Sequence, residues 1–364
     1  MEPPLTGADS DAEATVETPA TAEAATARRR LRFLLGLADH FEDRQGRRSA
    51  RAGSTADGAA ADGATGDGAT GDAASPETSA PAATPHLDDL PAASGTEPQE
   101  VRIRTADGDV IPAFLLRPAP EVATGAAVVL VAGHGRGIDD LVSTDPADEY
   151  HDGLAHKLVR AGLTVLCPEM ISFGRRRVPR PDGAEPYEDT ENSCGIDAAS
   201  HLLHGRPVMG HRVADARAAV QALREVPGVD PQRVAVAGGS GGGAVSLLLA
   251  AVDPTVAGAL VASYFSSFEA SLCSIRHCPC NIIPGLLPEM EMADIAALVA
   301  PRPLVLEAGE HDPIFPIEAT RASFAQLPPV WQALDAAPPE LVVTDGGHAF
   351  RGERSVELLA ERLA

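Results

Sequence analysis

Lysine is almost absent from this sequence: of its 29 Lys and Arg residues, only Lys157 is a lysine. Lys157 does not follow a glycine-rich loop, which excludes the Gly-Lys-Ser/Thr phosphate loop of nucleotide hydrolases. Asp and Glu number 52, so the formal net charge is −23. A charge of this sign opposes binding to nucleic acid or to anionic membranes. We therefore expect a small-molecule partner, with neither nucleic acid nor a membrane.

Cysteines and long apolar runs are also scarce. The five cysteines leave one unpaired in any disulfide scheme, so we expect a reducing compartment, the cytoplasm. The acidic N-terminus lacks the basic-then-apolar order of a secretory signal. The later stretch "RRRLRFLLGLADHFED" has an apolar core of about eight residues, too short to span a membrane. We interpret it as a short amphipathic helix, with a twin-arginine export signal as the alternative.

Large apolar side chains are nearly missing from residues 52–96, where "ADGATGDGATGDAA" is a near-repeat. Such a segment cannot bury enough surface to offset its ordering entropy, which predicts disorder. The chain then divides into an acidic tail with a short helix (1–51), the low-complexity insert (52–96) and one folded domain (97–364).

Within the folded domain, "VRIRTADGDVIPAFLLRP" alternates apolar and polar residues around a tight turn, which predicts an antiparallel hairpin. Continuous apolar runs follow, interleaved with helical patterns, and this predicts a mostly parallel sheet with helices on both faces. The strands of that sheet are predicted at 126–132, 163–169, 233–238, 257–265, 302–309 and 340–345. Two long excursions, roughly 171–210 and 266–300, are expected to build the walls of a site.

The stretch "VAVAGGSGGGAVSLLLA" places Ser240 among glycines at a strand-to-helix turn. Gly239, Gly241 and Ala244 match the dinucleotide-binding fingerprint, but that motif follows the first strand of its fold and needs an acid at the end of the next strand. Here several strands precede the turn, and the following strand ends without an acid. The pattern therefore favours a G-x-S-x-G nucleophile elbow, in which Ser240 is the nucleophile.

An elbow serine needs a base and an acid further along the chain, each after a strand. "LVVTDGGHAF" supplies His348, and "LVLEAGEHDPIFP" supplies Asp312. His348 would remove the serine proton, and Asp312 would fix the imidazole tautomer. Glu310 is the alternative acid, ranked lower because it lies closer to the strand.

With these motifs, residues 100–364 resemble the α/β-hydrolase superfamily and, within it, the dienelactone hydrolase and acetyl xylan esterase-like branch. The elbow, "HGRG", "HDPIFP" and "GGHAF" carry the resemblance. It implies an α/β-hydrolase fold and an oxyanion hole formed by the amides of Gly241 and of Gly135 or Arg136. In that scheme His134 braces the loop.

Two features are not absorbed by this scheme. An arginine run is interpreted as a solvated loop, with a clamp for a substrate carboxylate as the alternative; its members are Arg175, Arg176 and Arg177. A His/Cys cluster is interpreted as thiols lining a wall, because its spacing lacks the paired geometry of a zinc site. The cluster comprises Cys273, His277, Cys278 and Cys280.

The sequence therefore predicts a serine hydrolase that cleaves a carboxylic ester or lactone of a small molecule through an acyl-Ser240 intermediate. No cofactor and no metal are expected, and no oligomeric state is indicated. The alternatives are an acyl-peptide or aminopeptidase-like hydrolase, and a non-catalytic binding protein that keeps the fold.

Overall fold

The computed structural model describes residues 19–37, 84–88, 90, 95–145 and 150–364. Residues 1–18 and most of the predicted disordered insert lie outside this range. The described residues form one nine-stranded sheet in the order β1-β2-β3-β5-β4-β6-β7-β8-β9. Its strands are β1 His86–Asp88, β2 Gln99–Arg104, β3 Val110–Leu116, β4 Ala127–Val131, β5 Thr164–Pro168, β6 Val234–Gly239, β7 Ala259–Ala262, β8 Leu304–Gly309 and β9 Glu340–Thr344.

Strands β4 to β9 are mutually parallel, as the interleaved apolar runs predict. The first three strands are antiparallel to one another, and β3 joins the parallel part by pairing antiparallel with β5. Every residue of β4, β5, β6, β7 and β8 is buried, because helices cover both faces of the sheet. The predicted hairpin is confirmed as β2 and β3.

The helices are α1 Pro19–Leu34, α2 Ile138–Val142, α3 Leu154–Arg160, α4 Cys194–Leu203, α5 Val208–Arg224, α6 Gly241–Val252, α7 Met292–Ala297, α8 Ile317–Phe324, α9 Pro328–Ala333 and α10 Glu353–Leu363. Short 3-10 turns occupy Gly174–Arg176 and Pro279–Asn281. Among the described residues, no helix has the length and apolar character to cross a membrane.

Two apolar cores lie on opposite faces of the sheet. On one face, side chains such as Val129 and Val236 pack against α5, α6 and α7. On the other face, the alternate residues Val128 and Ala235 pack against α3 and α10. Because successive side chains of a strand point to opposite faces, each buried strand contributes to both cores. The result is the three-layer α/β arrangement that the sequence predicts.

Strand β1 lies inside the segment predicted to be disordered, so that prediction is wrong for residues 86–88. These residues pair antiparallel with β2, where Leu87 lies opposite Ile103. Asp88 accepts a hydrogen bond from Arg104 Nη2 at 2.7 Å. Pairing with β2, packing of Leu87 against the core and the Asp88–Arg104 ion pair together add a short edge strand at the end of a low-complexity segment.

Helix α1 packs on the folded domain. It begins at Pro19, earlier than the arginine-rich stretch that the sequence predicts to be helical. Leu31 and Leu35 are completely or almost completely buried in the core beneath α6. Arg28 Nε donates to Ala251 O at 3.2 Å, and Arg32 Nε donates to Val252 O at 2.9 Å. Carbonyls in the last turn of a helix have no intrahelical donor, so α1 supplies the C-terminal cap of α6.

Close packing of the chain after α1 requires glycine at position 210 on α5. A Cβ there would lie 1.8 Å from Leu35 O, whereas a Cβ at Gly195 on α4 would meet nothing within 4 Å. We expect Gly210→Ala to lower the free energy of unfolding by roughly 1–3 kcal/mol through overpacking. Gly195→Ala should change it by less than about 1 kcal/mol, since alanine is the better helix former. Chemical denaturation of both variants measures the difference, and equal stabilities would contradict this account of α1 docking.

Candidate active site

Ser240 occupies the turn between β6 and α6 in a backbone conformation that side chains rarely adopt. Its φ is 52° and its ψ is −119°, outside the regions favoured by non-glycine residues. The Ser240 amide donates to Ala262 O on the neighbouring strand at 2.9 Å. Strain of this kind persists only where surrounding structure imposes it, and it clusters at active sites. The turn has the conformation predicted for a nucleophile elbow.

Two glycines flanking Ser240 make this turn sterically allowed. A Cβ at Gly238 would lie 2.4 Å from the carbonyl of Gly242, and a Cβ at Gly242 would lie 2.0 Å from Val131 O on β4. Neither distance is tolerated, because the clashing atoms belong to backbone. These two glycines therefore let α6 approach the sheet closely enough to present the serine.

His348 and Asp312 meet beyond the ends of β9 and β8. His348 Nδ1 lies 2.8 Å from Asp312 Oδ2, and the Asp312 side chain is only 1% exposed. The other carboxylate oxygen, Oδ1, accepts hydrogen bonds from the amides of Ile314 at 2.8 Å and Phe315 at 3.1 Å. The Phe315 ring also stacks on His348, with ring centroids 5.8 Å apart. The carboxylate thus fixes the proton on Nδ1 and leaves Nε2 as the acceptor.

The alternative acid, Glu310, has a different partner. Arg321 Nη2 donates to Glu310 Oε2 at 2.7 Å, and both side chains are exposed. The structure therefore places the histidine on Asp312 and turns Glu310 toward solvent.

Tyr150 is a site residue that no sequence motif marks. Its hydroxyl is buried and faces Ser240, without reaching an acceptor in full hydrogen-bonding geometry. Its ring centroid lies 5.6 Å from that of His348. Among the described residues, Ser240 and His348 themselves form no direct hydrogen bond, and Tyr150 lies beside both. Catalytic hydrogen bonds often tighten only when substrate binds.

The loop after β4, residues 133–137, lies close to the elbow. The predicted oxyanion hole needs this proximity, because it combines an amide of the loop with the amide of Gly241. A Cβ on Gly241 would lie 3.3 Å from His134 Nδ1, so the loop and the start of α6 are in contact. The Gly241 amide belongs to the first turn of α6 and has no intrahelical acceptor. In contrast, the Arg136 amide already donates to Asp140 Oδ2 at 2.7 Å. Of the two predicted loop donors, this leaves Gly135 as the candidate.

Glu169 holds the C-terminal end of the same loop in place through hydrogen bonds. Its side chain is fully buried after β5 and accepts hydrogen bonds from the amides of Ile138 at 3.3 Å and Arg175 at 3.2 Å. A Cβ at Gly137 or at Gly174 would lie 2.2 Å from a Glu169 carboxylate oxygen. Burial raises the pKa of this carboxyl to about 7. Glu169 therefore connects the oxyanion loop to the first wall excursion.

The three arginines predicted as a solvated loop or a carboxylate clamp all have partners in the protein. Arg175 pairs with Asp139 at 3.1 Å and lies over the Phe114 ring. Arg176 donates to Asp215 Oδ2 at 2.5 Å. The guanidinium of Arg177 donates to backbone carbonyls, among them Glu188 O at 2.8 Å. These contacts hold the first excursion together and leave none of the three as an uncommitted cation.

The His/Cys cluster forms with partners other than those grouped by sequence proximity. Cys278 and Cys280 lie together, but Cys273 is exposed and apart from them. The His277 ring packs edge-on against His134 and Phe315 instead of joining the thiols. Two residues from distant segments, His134 and Cys194, complete the group, and its four ligand atoms lie within 4.8 Å of one another.

The strand order and the serine elbow after β6 define the α/β-hydrolase fold, which solved structures share. A glucuronoyl esterase from Solibacter usitatus aligns with a TM-score of 0.53 and 16% identity, over 78% of this chain and 88% of that chain. A "putative acetyl xylan esterase" from Bacteroides fragilis NCTC 9343 aligns with a TM-score of 0.54 and 15% identity, over 75% of this chain and 71% of that chain.

The family follows from the sequence match. The chain belongs to the dienelactone hydrolase family, whose model matches residues 111–351. The "Putative hydrolase YtaP" of Bacillus subtilis (strain 168) is 24% identical over 295 residues, which cover 72% of this chain and 90% of that protein. The predicted branch of the superfamily is confirmed, and the protein is a hydrolase.

The contact between His348 and Asp312 distinguishes the two candidate acids. We expect Asp312→Asn to lower kcat by roughly 10²- to 10⁴-fold with KM nearly unchanged, because the amide favours the wrong imidazole tautomer. Glu310→Gln should leave kcat within about threefold, since that carboxylate faces solvent. Steady-state kinetics of both variants on one ester provide the measurement. A damaging Glu310→Gln beside a harmless Asp312→Asn would reverse the assignment.

The buried Glu169 carboxyl predicts a pH dependence of stability. Its pKa is raised from 4.5 to about 7 in the folded protein. Between these values the folded state retains a proton that the unfolded chain releases, so the stabilisation falls as pH rises through this window. The Glu169→Gln variant has no titrating group at this position. The Tm of wild type minus the Tm of the variant should therefore decrease as pH rises from 5 to 7. A difference that is flat or rises with pH would contradict the assigned shift.

Proposed function

We propose that the protein hydrolyses a carboxylic ester or lactone of a small molecule through an acyl-Ser240 intermediate. The observation that carries the proposal is the strained elbow, which presents Ser240 at the N-terminus of α6. The His348–Asp312 pair, with its 2.8 Å contact, supports it by leaving Nε2 as a proton acceptor near the same strand ends.

In the first half of the reaction, Ser240 Oγ attacks the ester carbonyl carbon while His348 Nε2 takes the hydroxyl proton. The carbonyl oxygen becomes an oxyanion, which the amides of Gly241 and Gly135 stabilise with two hydrogen bonds. The intermediate collapses when the C–O bond to the leaving group breaks. His348 donates its proton to that oxygen, and the alcohol departs.

In the second half, water attacks the acyl-enzyme and His348 again accepts a proton. Collapse of the second intermediate returns that proton to Ser240 Oγ and releases the carboxylic acid. Apart from substrate and water, these steps use side chains and backbone amides of the chain. Asp312 keeps its charge throughout and stabilises the imidazolium that forms twice in the cycle.

The substrate we favour is an uncharged ester. Arg175, Arg176 and Arg177 are each engaged by carboxylates, carbonyls or rings of the protein. A substrate carboxylate would have to displace these partners before it gained a bidentate contact. Esters of sugars belong in the test panel, because the similar solved structures include a glucuronoyl esterase and a "putative acetyl xylan esterase".

Ser240→Ala tests the nucleophile, and Ser246→Ala is its matched control. Ser246 lies on the same helix, is fully buried, and its hydroxyl has no hydrogen-bond partner among the described residues. We expect Ser240→Ala to abolish labelling by a fluorophosphonate probe and to lower kcat by roughly 10³-fold or more, with Tm nearly unchanged. Ser246→Ala should keep labelling and turnover.

The measurement combines probe labelling with turnover of p-nitrophenyl esters of increasing length, acetylated sugars and small lactones. Labelling that persists in Ser240→Ala would overturn the assignment of the nucleophile. Turnover of peptide substrates alone would favour the acyl-peptide or aminopeptidase-like alternative. A protein that is neither labelled by the probe nor active on either panel would favour the binding protein.

A further inference from the structure

Four ligand atoms converge beside the oxyanion loop from three separate segments of the chain. They are His134 Nε2 on the loop after β4, Cys194 Sγ at the first residue of α4, and the Sγ atoms of Cys278, just before a 3-10 turn, and Cys280, within that turn. Cys280 Sγ lies 3.3 Å from His134 Nε2. Cys194 and Cys280 are fully buried. The group therefore joins the loop to both wall excursions.

The separations are close to those of a four-coordinate metal site. All four ligand atoms lie within 4.8 Å of one another. A tetrahedral zinc ion, with Zn–S about 2.3 Å and Zn–N about 2.0–2.1 Å, places its ligand atoms roughly 3.5–3.8 Å apart. A contraction of about 1 Å or less, within the reach of side-chain rotation, closes the site around an ion.

A buried cation lies next to the thiols without a carboxylate partner. Arg212 on α5 is only 1% exposed. Its Nη2 donates to Cys194 Sγ at 3.0 Å and to Ile171 O at 3.2 Å. Within the described part of the chain, no carboxylate pairs with this guanidinium. An isolated buried charge is costly, so an anionic partner is expected at this position.

Three thiolates supply that anionic charge, and a divalent ion balances it. Three thiolates, a neutral imidazole and a divalent ion carry one net negative charge, which the guanidinium of Arg212 neutralises. Asn281 Nδ2 also donates toward Cys280 Sγ at 3.4 Å, and the Phe173 ring packs edge-on against His134 at 5.2 Å. Hydrogen bonds to sulfur and an apolar wall around the histidine are the outer contacts of a structural metal site.

We propose that His134, Cys194, Cys278 and Cys280 bind one Zn²⁺ ion in a closed, four-coordinate site. Thiolate and imidazole ligands select zinc, and a site with four protein ligands leaves no position for a reacting water. The three thiol protons go to solvent when the ion binds. The bound ion ties the oxyanion loop to both wall excursions and fixes the His134 ring against Gly241. Its role is to position the loop, and it takes no part in the chemistry.

Metal content of the full-length protein, purified without a polyhistidine tag and without added metal, is the first measurement. We expect about one zinc ion per chain in wild type and less than about one fifth of that in Cys194→Ser, Cys278→Ser and Cys280→Ser. Cys273→Ser is the matched control, because this thiol is exposed and outside the cluster. It should retain its zinc. Wild type without zinc, or zinc retained in all three variants, overturns the proposal.

Thiol titration of wild type in denaturant, before and after reduction, tests the competing states of the cluster. Five thiols together with one released zinc ion support the site. Three thiols before reduction and no zinc would mean a disulfide within the cluster and would overturn it. Five thiols without metal would mean hydrogen-bonded thiols alone, with the same consequence.

Stability of wild type provides a readout that does not depend on the variants folding. A strong zinc chelator should lower Tm by roughly 5 °C or more, and added zinc should restore it. Iron or copper at one ion per chain in place of zinc would overturn the choice of metal. None of these measurements uses ester hydrolysis, so their failure is distinguishable from failure of the proposed function.

Discussion

The backbone of Ser240 can hold its unusual conformation only because peptide groups pack directly on peptide groups around it. The backbones of β4, β6 and the start of α6 lie so close together that no side chain fits at position 238 or 242, where the residues are glycine. The strand, the turn and the helix are thus one rigid unit, and the remaining groups of the site are placed relative to it. The His348–Asp312 pair and the oxyanion loop each come from the ends of other strands, which the same sheet holds in position.

The oxyanion loop is less rigid in itself, because three of its five residues, 133–137, are glycines. Its conformation therefore depends on groups outside it. On one side the buried carboxylate of Glu169 accepts hydrogen bonds from the following residues and from the first excursion. On the other side His134 faces the thiols of three cysteines. Both anchors use buried polar groups, whose geometry is more specific than that of apolar packing.

The fold was predictable because each element carries a local signal. Continuous apolar runs mark buried parallel strands, and the glycines around Ser240 mark a turn that other residues cannot form. The sequence left the choice between Asp312 and Glu310 open, since both follow the same strand. In the structure, Arg321 pairs with Glu310, and Asp312 contacts His348. Tyr150 and Glu169 carry no motif because their roles arise from burial against distant loops. His134 and Cys280 are 146 residues apart, so only the folded chain shows that they meet.

Helix α1 illustrates how a segment outside the matched family region becomes part of the domain. It buries Leu31 and Leu35 and caps α6 through Arg28 and Arg32. Because α1 and its groove belong to one chain, docking of the helix is an intramolecular step, and its effective concentration at the groove is far higher than that of a separate peptide. A modest set of contacts is therefore sufficient to hold α1 in place.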